Sequence, residues 1–269
     1  MENQKKKLQF GVLSTASIAP RFIQAVNDSG CCIVRALASR SLEKAQEKAR
    51  LWNVPIAYGS YIELINDPEI DIVYVCMINS EHYQYCRSAL EAGKHVLCEK
   101  PFTLYESEAR ELFHIAREKK LFIMEADKVV FLPVAKKIKE YIKDGIIGTI
   151  RMADFSSSFE STYNSWLYDP QKGGGILTSN AVYSIQLMQF FFDKKVVKWS
   201  GLCTQADTGV DNQYSISCLL ENNVLFSCNT STCVTTPNQG CLYGEKGWIN
   251  IPNYWKARTA TLNLKNQRP

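Results

Sequence analysis

The stretch that decides the fold runs Ile72-Val73-Tyr74-Val75-Cys76 and, after a helical segment, Ala89-Leu90-Glu91-Ala92-Gly93-Lys94-His95-Val96-Leu97-Cys98-Glu99-Lys100-Pro101. It reads as a buried strand, a helix, a glycine stop and a second buried strand. Lys100 therefore stands at the carboxyl end of a parallel strand, where open α/β sheets bind ligands. Pro101 lacks a backbone donor and fixes the direction of the chain there. The alternative is a surface lysine at a strand end.

The rest of the first half also alternates short apolar runs with amphipathic segments, which is typical of a parallel sheet with crossover helices. Strands are predicted at 8–13, 33–38 and 121–125, and helices at 18–27 and 41–52, with further helices opening at Ser60 and Thr103. Beyond residue 126 strands dominate, at 149–158, 196–204, 213–221, 224–232, 248–251 and 259–266, with helices at 131–144 and 179–192.

These patterns predict an α/β protein of two domains. Residues 1–125 are expected to form an α/β domain around a parallel sheet, and residues 126–269 an α+β domain. The strands of the second domain follow one another with few helices between them, so its large sheet should be mostly antiparallel and leave one face open.

Composition excludes several classes of protein. The chain has 269 residues, 46% hydrophobic and 22% charged, as in soluble globular proteins. No apolar run approaches the roughly 20 residues of a membrane span, and no signal peptide is recognisable, so a cytoplasmic location is expected. Ten scattered cysteines and three histidines form no ligand cluster, so we expect reduced thiols and no metal. A net charge of +4 gives no nucleic-acid patch.

Five ordered blocks resemble the Gfo/Idh/MocA oxidoreductases, most of all the dimeric dihydrodiol dehydrogenase-like branch. They are Gly11-Val12-Leu13-Ser14-Thr15-Ala16-Ser17-Ile18-Ala19, Ala38-Ser39-Arg40, Ala57-Tyr58-Gly59-Ser60-Tyr61, Ala92 to Pro101, and Gly173-Gly174-Gly175 with Tyr183. The resemblance covers nearly the whole chain. It implies that residues 1–125 are a Rossmann domain that binds a nicotinamide dinucleotide. It also implies that residues 126–269 are a substrate and dimerisation domain, which is short at its carboxyl end and forms a homodimer through the open sheet.

The cofactor site is expected at two turns of the first domain. The run Ser14, Thr15, Ala16, Ser17, Ile18 and Ala19 stands where the dinucleotide fingerprint has Gly-x-Gly-x-x-Gly/Ala. Its small residues would let a pyrophosphate approach, although an ordinary tight turn is the alternative. The second strand ends in Ser39 and Arg40 with no carboxylate until Glu43. A guanidinium there suits a 2′-phosphate, which favours NADP over NAD. A solvent-facing arginine is the alternative.

The resemblance also implies the reaction site. Lys100 would contact the substrate hydroxyl and the nicotinamide ribose, and Tyr183 would act as general acid and base. The ordinary tyrosine pKa of about 10 is high for a base at neutral pH, but a nearby ammonium lowers it, so the two residues form a workable proton-transfer pair. Asn79, His82 and Glu99 correspond to family residues beside the cofactor. A buried structural role is the alternative for Tyr183 and His82.

Three positions depart from the family pattern. Ser179 replaces an aspartate, the segment Lys128-Val129-Val130-Phe131 replaces Trp-Thr-Arg-Phe, and Ala181 replaces a glycine. Lys128 and Ser179 are candidate substrate contacts, and the lysine suits an acidic or phosphorylated substrate. We predict an NADP(H)-dependent oxidoreductase that acts on a secondary alcohol or ketone of a sugar, cyclitol or diol. The alternative is a catalytically silent NADP-binding sensor.

Overall fold

The structure, a computed structural model, describes residues 7–162, 165–221 and 223–265, and divides into two units between Ala126 and Asp127. The predicted last strand extends to Asn266, which lies outside the described residues. The α/β fold class predicted from the sequence is confirmed, with a parallel sheet in the first unit and a mostly antiparallel sheet in the second.

The first unit is built on six parallel strands in the order β3-β2-β1-β4-β5-β6. The strands are β1 Leu8–Leu13, β2 Cys32–Ala38, β3 Ile56–Tyr58, β4 Ile72–Val75, β5 His95–Cys98 and β6 Ile123–Glu125. This is the doubly wound order of dinucleotide-binding folds, in which ligands bind outside the carboxyl ends of the strands. The loops after β1, β2, β4 and β5 therefore lie along one edge of the sheet.

Five helices connect these strands: α1 Ala19–Ser29, α2 Leu42–Leu51, α3 Tyr61–Ile65, α4 His82–Glu91 and α5 Glu106–Glu118. Two predicted caps are present, because the hydroxyls of Ser41 and Ser60 accept N–H bonds from the first turns of α2 and α3. The prediction that Thr103 opens α5 is wrong. The helix starts three residues later, and the Glu108 carboxylate accepts the N–H groups of Leu104 and Tyr105 instead.

The second unit contains a seven-stranded sheet in the order β13-β12-β11-β7-β10-β9-β8, in which only β7 and β10 are parallel among the described residues. The strands are β7 Ile150–Ser158, β8 Val196–Gln205, β9 Asp211–Leu220, β10 Leu225–Ser231, β11 Gln239–Gly244, β12 Gly247–Pro252 and β13 Thr261–Leu264. Helices α6 Pro133–Lys143 and α7 Ile176–Phe192 complete the unit.

Helix α7 packs against one face of this sheet. Its Leu187 and Phe191 join Phe155 and Phe226 in a buried core. Burying four such side chains contributes about 1.5–3 kcal/mol each, which holds the helix in place.

The other face of the sheet combines one apolar row with polar neighbours. The strand register aligns Trp248, Tyr243, Met152, Leu225 and Leu219 across five strands. Residues paired across a ladder point to the same side, so they form one row, and several of its members are exposed. The next row on the same face holds Asn250, Cys241, Asp154, Ser227, Ser217 and Ser200.

Strand β11 was not predicted, because its two glycines resemble a turn. The structure explains Gly240: a Cβ atom there would overlap the ring of Phe155, coming 2.5 Å from Cδ1. A glycine that looks like a strand breaker in the sequence makes room for an aromatic core residue on the neighbouring strand.

Candidate functional site

The turn between β1 and α1 holds a serine in a backbone conformation that favours glycine. Ser14 has φ 103°, its N–H donates to Ala38 O at 3.0 Å, and its Oγ accepts the Ala16 N–H at 3.2 Å. Such a backbone costs about 1–3 kcal/mol in a residue other than glycine and is found mainly at functional sites. Ser14 therefore adopts the tight turn of the fingerprint without its first glycine.

Helix α1 begins without a side-chain cap. Its N-cap residue Ile18 makes no side-chain hydrogen bond, and Pro20 lies in the first turn. A helix start without a side-chain cap, together with the helix dipole, favours an anion. The exposed Ser17 and half-buried Thr15 precede this start and offer hydroxyls.

The end of β2 presents a positive charge to solvent. Ser39 is 6% exposed, and its N–H donates to Tyr58 O. Arg40 is exposed and forms no ion pair within the part of the chain that the structure describes. Burial raises the pKa of the neighbouring Tyr61, and the positive charge of Arg40 opposes that rise. An arginine without a carboxylate partner at this position suits a phosphate.

His82 connects the loops that follow β4 and β5. Its ring is 1% exposed, with Nδ1 2.7 Å from Pro101 O and Nε2 3.1 Å from Met77 O. Burial lowers the pKa of His82, so the ring is neutral near pH 7 and donates to one carbonyl at a time. The two nitrogens approach one carbonyl on each loop, so the ring ties the two loops together. The nearby Asn79 is 5% exposed and begins a short 3₁₀ turn.

Glu99 is held by its neighbours at the end of β5. Its Oε1 accepts the hydroxyl of Tyr74 at 2.6 Å, and its Oε2 accepts the N–H of Lys100 at 3.3 Å. Burial, reinforced by the Glu99 charge, raises the pKa of Tyr74, so this tyrosine stays a donor. The half-buried Lys100 thus leaves the sheet from an anchored strand end, through a cis peptide bond to Pro101.

Sequence reasoning missed two residues that fix this edge. Tyr74 lies within β4 and looks like any core aromatic, although its hydroxyl orients Glu99. Glu125 ends β6, and its Oε1 accepts the N–H of Phe102 at 2.9 Å, which ties the segment after Lys100 to the neighbouring strand. A carboxylate at a strand end was the available signal for Glu125.

In the second unit, two glycines before α7 allow the chain to pass close to neighbouring oxygen atoms. A Cβ at Gly174 would overlap Leu167 O, and one at Gly175, which has φ 111°, would lie 2.5 Å from Asp211 Oδ1. The other oxygen of Asp211 accepts the Leu177 N–H at 2.6 Å. Asp211 lies in strand β9 and therefore caps α7 from outside the helix. The sequence analysis did not single out this residue.

Ser179 and Tyr183 lie one turn apart on α7 and share a face of the helix. Ser179 is 4% exposed, and Tyr183 is half-buried. Lys128 Nζ lies 5.3 Å from the centroid of the Tyr183 ring, in a cation–π contact. The structure thus brings together three residues that the sequence named separately.

A buried network of hydroxyls anchors the adjacent face of α7. Asn180 Oδ1 lies 3.3 Å from both Ser157 Oγ and Thr230 Oγ1, which are 2.8 Å from each other. Thr230 also donates to the Tyr214 hydroxyl at 2.9 Å, and the Tyr254 hydroxyl donates to Ser157 at 3.3 Å. Burial raises the pKa of Tyr254 to about 12, so its hydroxyl remains protonated. Satisfied buried networks of this kind rigidify a core.

The predicted residues therefore fall into two groups. Those of the first unit lie in or near the loops at the carboxyl edge of its sheet: Ser14, Thr15, Ala16, Ser17, Ile18, Ser39, Arg40, Asn79, His82, Glu99 and Lys100. Those of the second unit, Lys128, Ser179 and Tyr183, lie on and beside α7.

The residues that the structure describes contain no group of three or more His, Cys, Asp or Glu side chains that could hold a metal ion. Within them, no helix is both long enough and apolar enough to span a membrane. All ten cysteines are free.

Two family models match the chain. Residues 8–126 match "Oxidoreductase family, NAD-binding Rossmann fold", and residues 135–250 match "GFO/IDH/MocA C-terminal domain".

Curated relatives and solved structures agree with these models. Trans-1,2-dihydrobenzene-1,2-diol dehydrogenase of Xenopus laevis is 32% identical over 97% of this chain and 80% of its own length. The D-xylose 1-dehydrogenase (NADP(+)) of Hypocrea jecorina is 32% identical over 92% of this chain and 73% of its own. A 3-ketoreductase from Actinomadura kijaniata, solved with NADP and TDP-benzene, shares the fold at a TM-score of 0.90 and 24% identity, with 97% of this chain and 82% of that chain covered.

Proposed function

Since the chain belongs to the Gfo/Idh/MocA family of oxidoreductases, we propose that it transfers hydride between NADP(H) and a secondary alcohol or ketone of a sugar, cyclitol or diol. Two relatives support this substrate class by their names, one as a dehydrogenase of a diol and the other of a sugar. The observation that carries the proposal is the strained Ser14 turn at the uncapped start of α1, on the sheet edge that also presents Lys100.

The residues present fit the cofactor. The backbone from Ser14 to Ile18 would hold the pyrophosphate at the start of α1, because no side chain caps this helix start and the helix dipole favours an anion there. Arg40 would bind the 2′-phosphate, since it has a charge but no carboxylate partner within residues 7–162, 165–221 and 223–265. Asn79 and Glu99 would border the nicotinamide end, with His82 fixing their loops. NADP(H) supplies the hydride chemistry when bound.

The protein's own task is to manage the proton. We assign Tyr183 as the group that takes the hydroxyl proton during oxidation and returns it during reduction. Lys100 would stabilise the ionised tyrosine and orient the substrate oxygen, as an ammonium favours phenolate. The fixed backbone on both sides of Lys100 suits this role, because Glu99 and Phe102 are each bonded to neighbouring strands.

Substitution of these two residues tests the proposal. Lys100→Met and Tyr183→Phe should each lower kcat by roughly 10²–10⁴, the usual worth of general acid–base catalysis, on a panel of sugars, cyclitols and diols with NADP(H). The double variant should be little worse than the poorer single one, as expected for residues acting as a unit. Lys137→Met, on the exposed surface of α6, is the matched control.

The outcomes separate the two hypotheses that the sequence leaves open. Turnover unaffected by Tyr183→Phe would remove that residue from the mechanism. Tight NADPH binding without turnover on any substrate would instead identify the protein as an NADP-binding sensor. Restoring aspartate at position 179 would then test whether that departure ended catalysis.

We also propose that the open face of the second sheet pairs with another copy of the chain. Met152, Leu225 and Trp248 are the exposed members of the apolar row that runs across five strands, which suits a self-complementary interface. Sedimentation at micromolar concentration should show a dimer, and Leu225→Glu should convert it to a monomer. A wild-type monomer would contradict the proposal.

A further inference from the structure

Lys128 extends from a backbone that is fixed on its carboxyl side. The residue immediately precedes a 3₁₀ turn, Val129–Phe131. Val129 is 0% exposed, and its N–H donates to Asp127 Oδ1 at 3.1 Å. The exposed Lys128 side chain therefore leaves from an anchored position.

The charge of Lys128 is paired with a ring rather than with a carboxylate. Its Nζ lies over Tyr183 and makes no ion pair within the described ranges. Two other lysines of this unit form ion pairs with carboxylates. Lys137 pairs with Glu140 at 2.8 Å, and Lys172 pairs with Asp169 at 2.7 Å. The carboxylate of Asp127 accepts a backbone N–H and is 2% exposed. A cation thus stands over the proposed acid–base residue, accessible from solvent.

Ser179, one helical turn before Tyr183, adds no negative charge that would oppose the charge of Lys128. Ser179 shares the face of α7 with Tyr183 and is neutral, whereas a carboxylate there would repel an anionic ligand. Together, Lys128 and Ser179 make the surroundings of the Tyr183 ring favourable to a negative group.

We propose that Lys128 forms an anion subsite, and that the substrate is an acidic sugar or polyol that bears a carboxylate or a phosphate. The inference rests on the proposed role of Tyr183. An ammonium binds either group as a point charge, without the planar geometry that an arginine imposes, so both anions share the chemistry.

Matched substrates test the subsite in the cofactor-loaded protein. Glucose, glucuronate and glucose 6-phosphate differ only at C6, and galactose with galacturonate provides a second pair. The wild type should show kcat/KM at least 10-fold higher for an anionic member than for its neutral partner. The preference should fall as salt rises from 50 to 500 mM, because an exposed charge is screened.

Variants assign the preference to Lys128. Lys128→Met should raise KM for the anion 10- to 100-fold more than KM for the neutral partner, and Lys128→Arg should retain most of the preference. Lys139→Met is the matched control, since Lys139 also lies over an aromatic ring of this unit, Phe190, at 4.3 Å. Equal changes for both partners in Lys128→Met, or a neutral preference in the wild type, would overturn the proposal. Whether the carboxylate or the phosphate pair responds identifies the anion.

Binding measurements separate this inference from the proposed function. If no substrate is turned over, the proposed function fails, and titration calorimetry of glucuronate, galacturonate and glucose 6-phosphate into the NADPH-loaded protein decides the subsite. Binding that Lys128→Met abolishes and Lys139→Met preserves sustains it. No binding, or binding indifferent to Lys128, refutes it.

Discussion

Arg40 should set the choice between the two nicotinamide cofactors. Its guanidinium is exposed at the end of β2 and makes no ion pair among the residues described, while Ser39 is buried and the Ser41 hydroxyl caps α2. Arg40 is thus the charged group available to a 2′-phosphate at this turn. Hydrogen bonds to charged groups contribute about 1.5–3 kcal/mol. Since 1.4 kcal/mol is a factor of ten, Arg40→Ala should raise the Kd of NADPH roughly 10- to 150-fold and that of NADH less than about twofold.

The cofactor's own fluorescence reports both titrations. Because Arg40 is exposed, the increase in the Kd of NADPH at 150 mM salt should lie in the lower half of the 10- to 150-fold range, and it should be larger at 20 mM salt. Arg50→Ala, in the last turn of the helix α2 that follows Arg40, is the matched control. Adenosine 2′,5′-bisphosphate should compete with NADPH in the wild type and fail to do so in Arg40→Ala. Equal loss of NADPH and NADH affinity would refute the assignment and leave Arg40 a structural residue.

Two further predictions concern stability. The pKa of His82 is lowered in the folded state, so the unfolded chain binds more protons than the folded chain below about pH 6.5. The contribution of the neutral ring to the free energy of unfolding is therefore fully present above that pH. It falls by up to about 1.4 kcal/mol per pH unit as the pH drops toward the pKa of the folded state. Urea unfolding from pH 5 to 8 should show this slope in the wild type but not in His82→Asn, and equal slopes would be evidence against it. Gly240→Ala should cost about 1–3 kcal/mol by crowding Phe155, and Phe155→Leu should recover part of that loss; additive effects in denaturant melts would argue against the contact.

The sequence was most informative where a local pattern of apolar and polar residues determines where a side chain lies in the fold. A lysine two residues beyond a parallel strand must lie at the carboxyl edge of the sheet, so the place of Lys100 followed from the apolar runs around it. Ser41 was predicted as a cap from its place before an amphipathic segment, and it is one. The same logic gave the parallel and antiparallel sheets.

It was least informative where contacts join distant residues. The hydroxyls of Ser157 and Tyr254 are 97 positions apart, and Asp211 reaches back 34 positions to Leu177. No periodicity encodes such pairs. The positions of both His82 nitrogens beside backbone carbonyls depend on loop conformation, which sequence patterns do not specify.

Helix α7 presents two adjacent rows of side chains that make different contacts. Ser179 and Tyr183 form one, and Asn180 and Ser184 form the other, one residue on and about 100° around the helix axis. Asn180 binds the helix to the buried hydroxyls of the sheet, whereas Tyr183 meets Lys128. A substitution of Tyr183 would therefore leave the hydrogen bonds of Asn180 to the sheet in place. Such a division would allow the contacts of one row to vary while the other keeps the helix attached to its sheet.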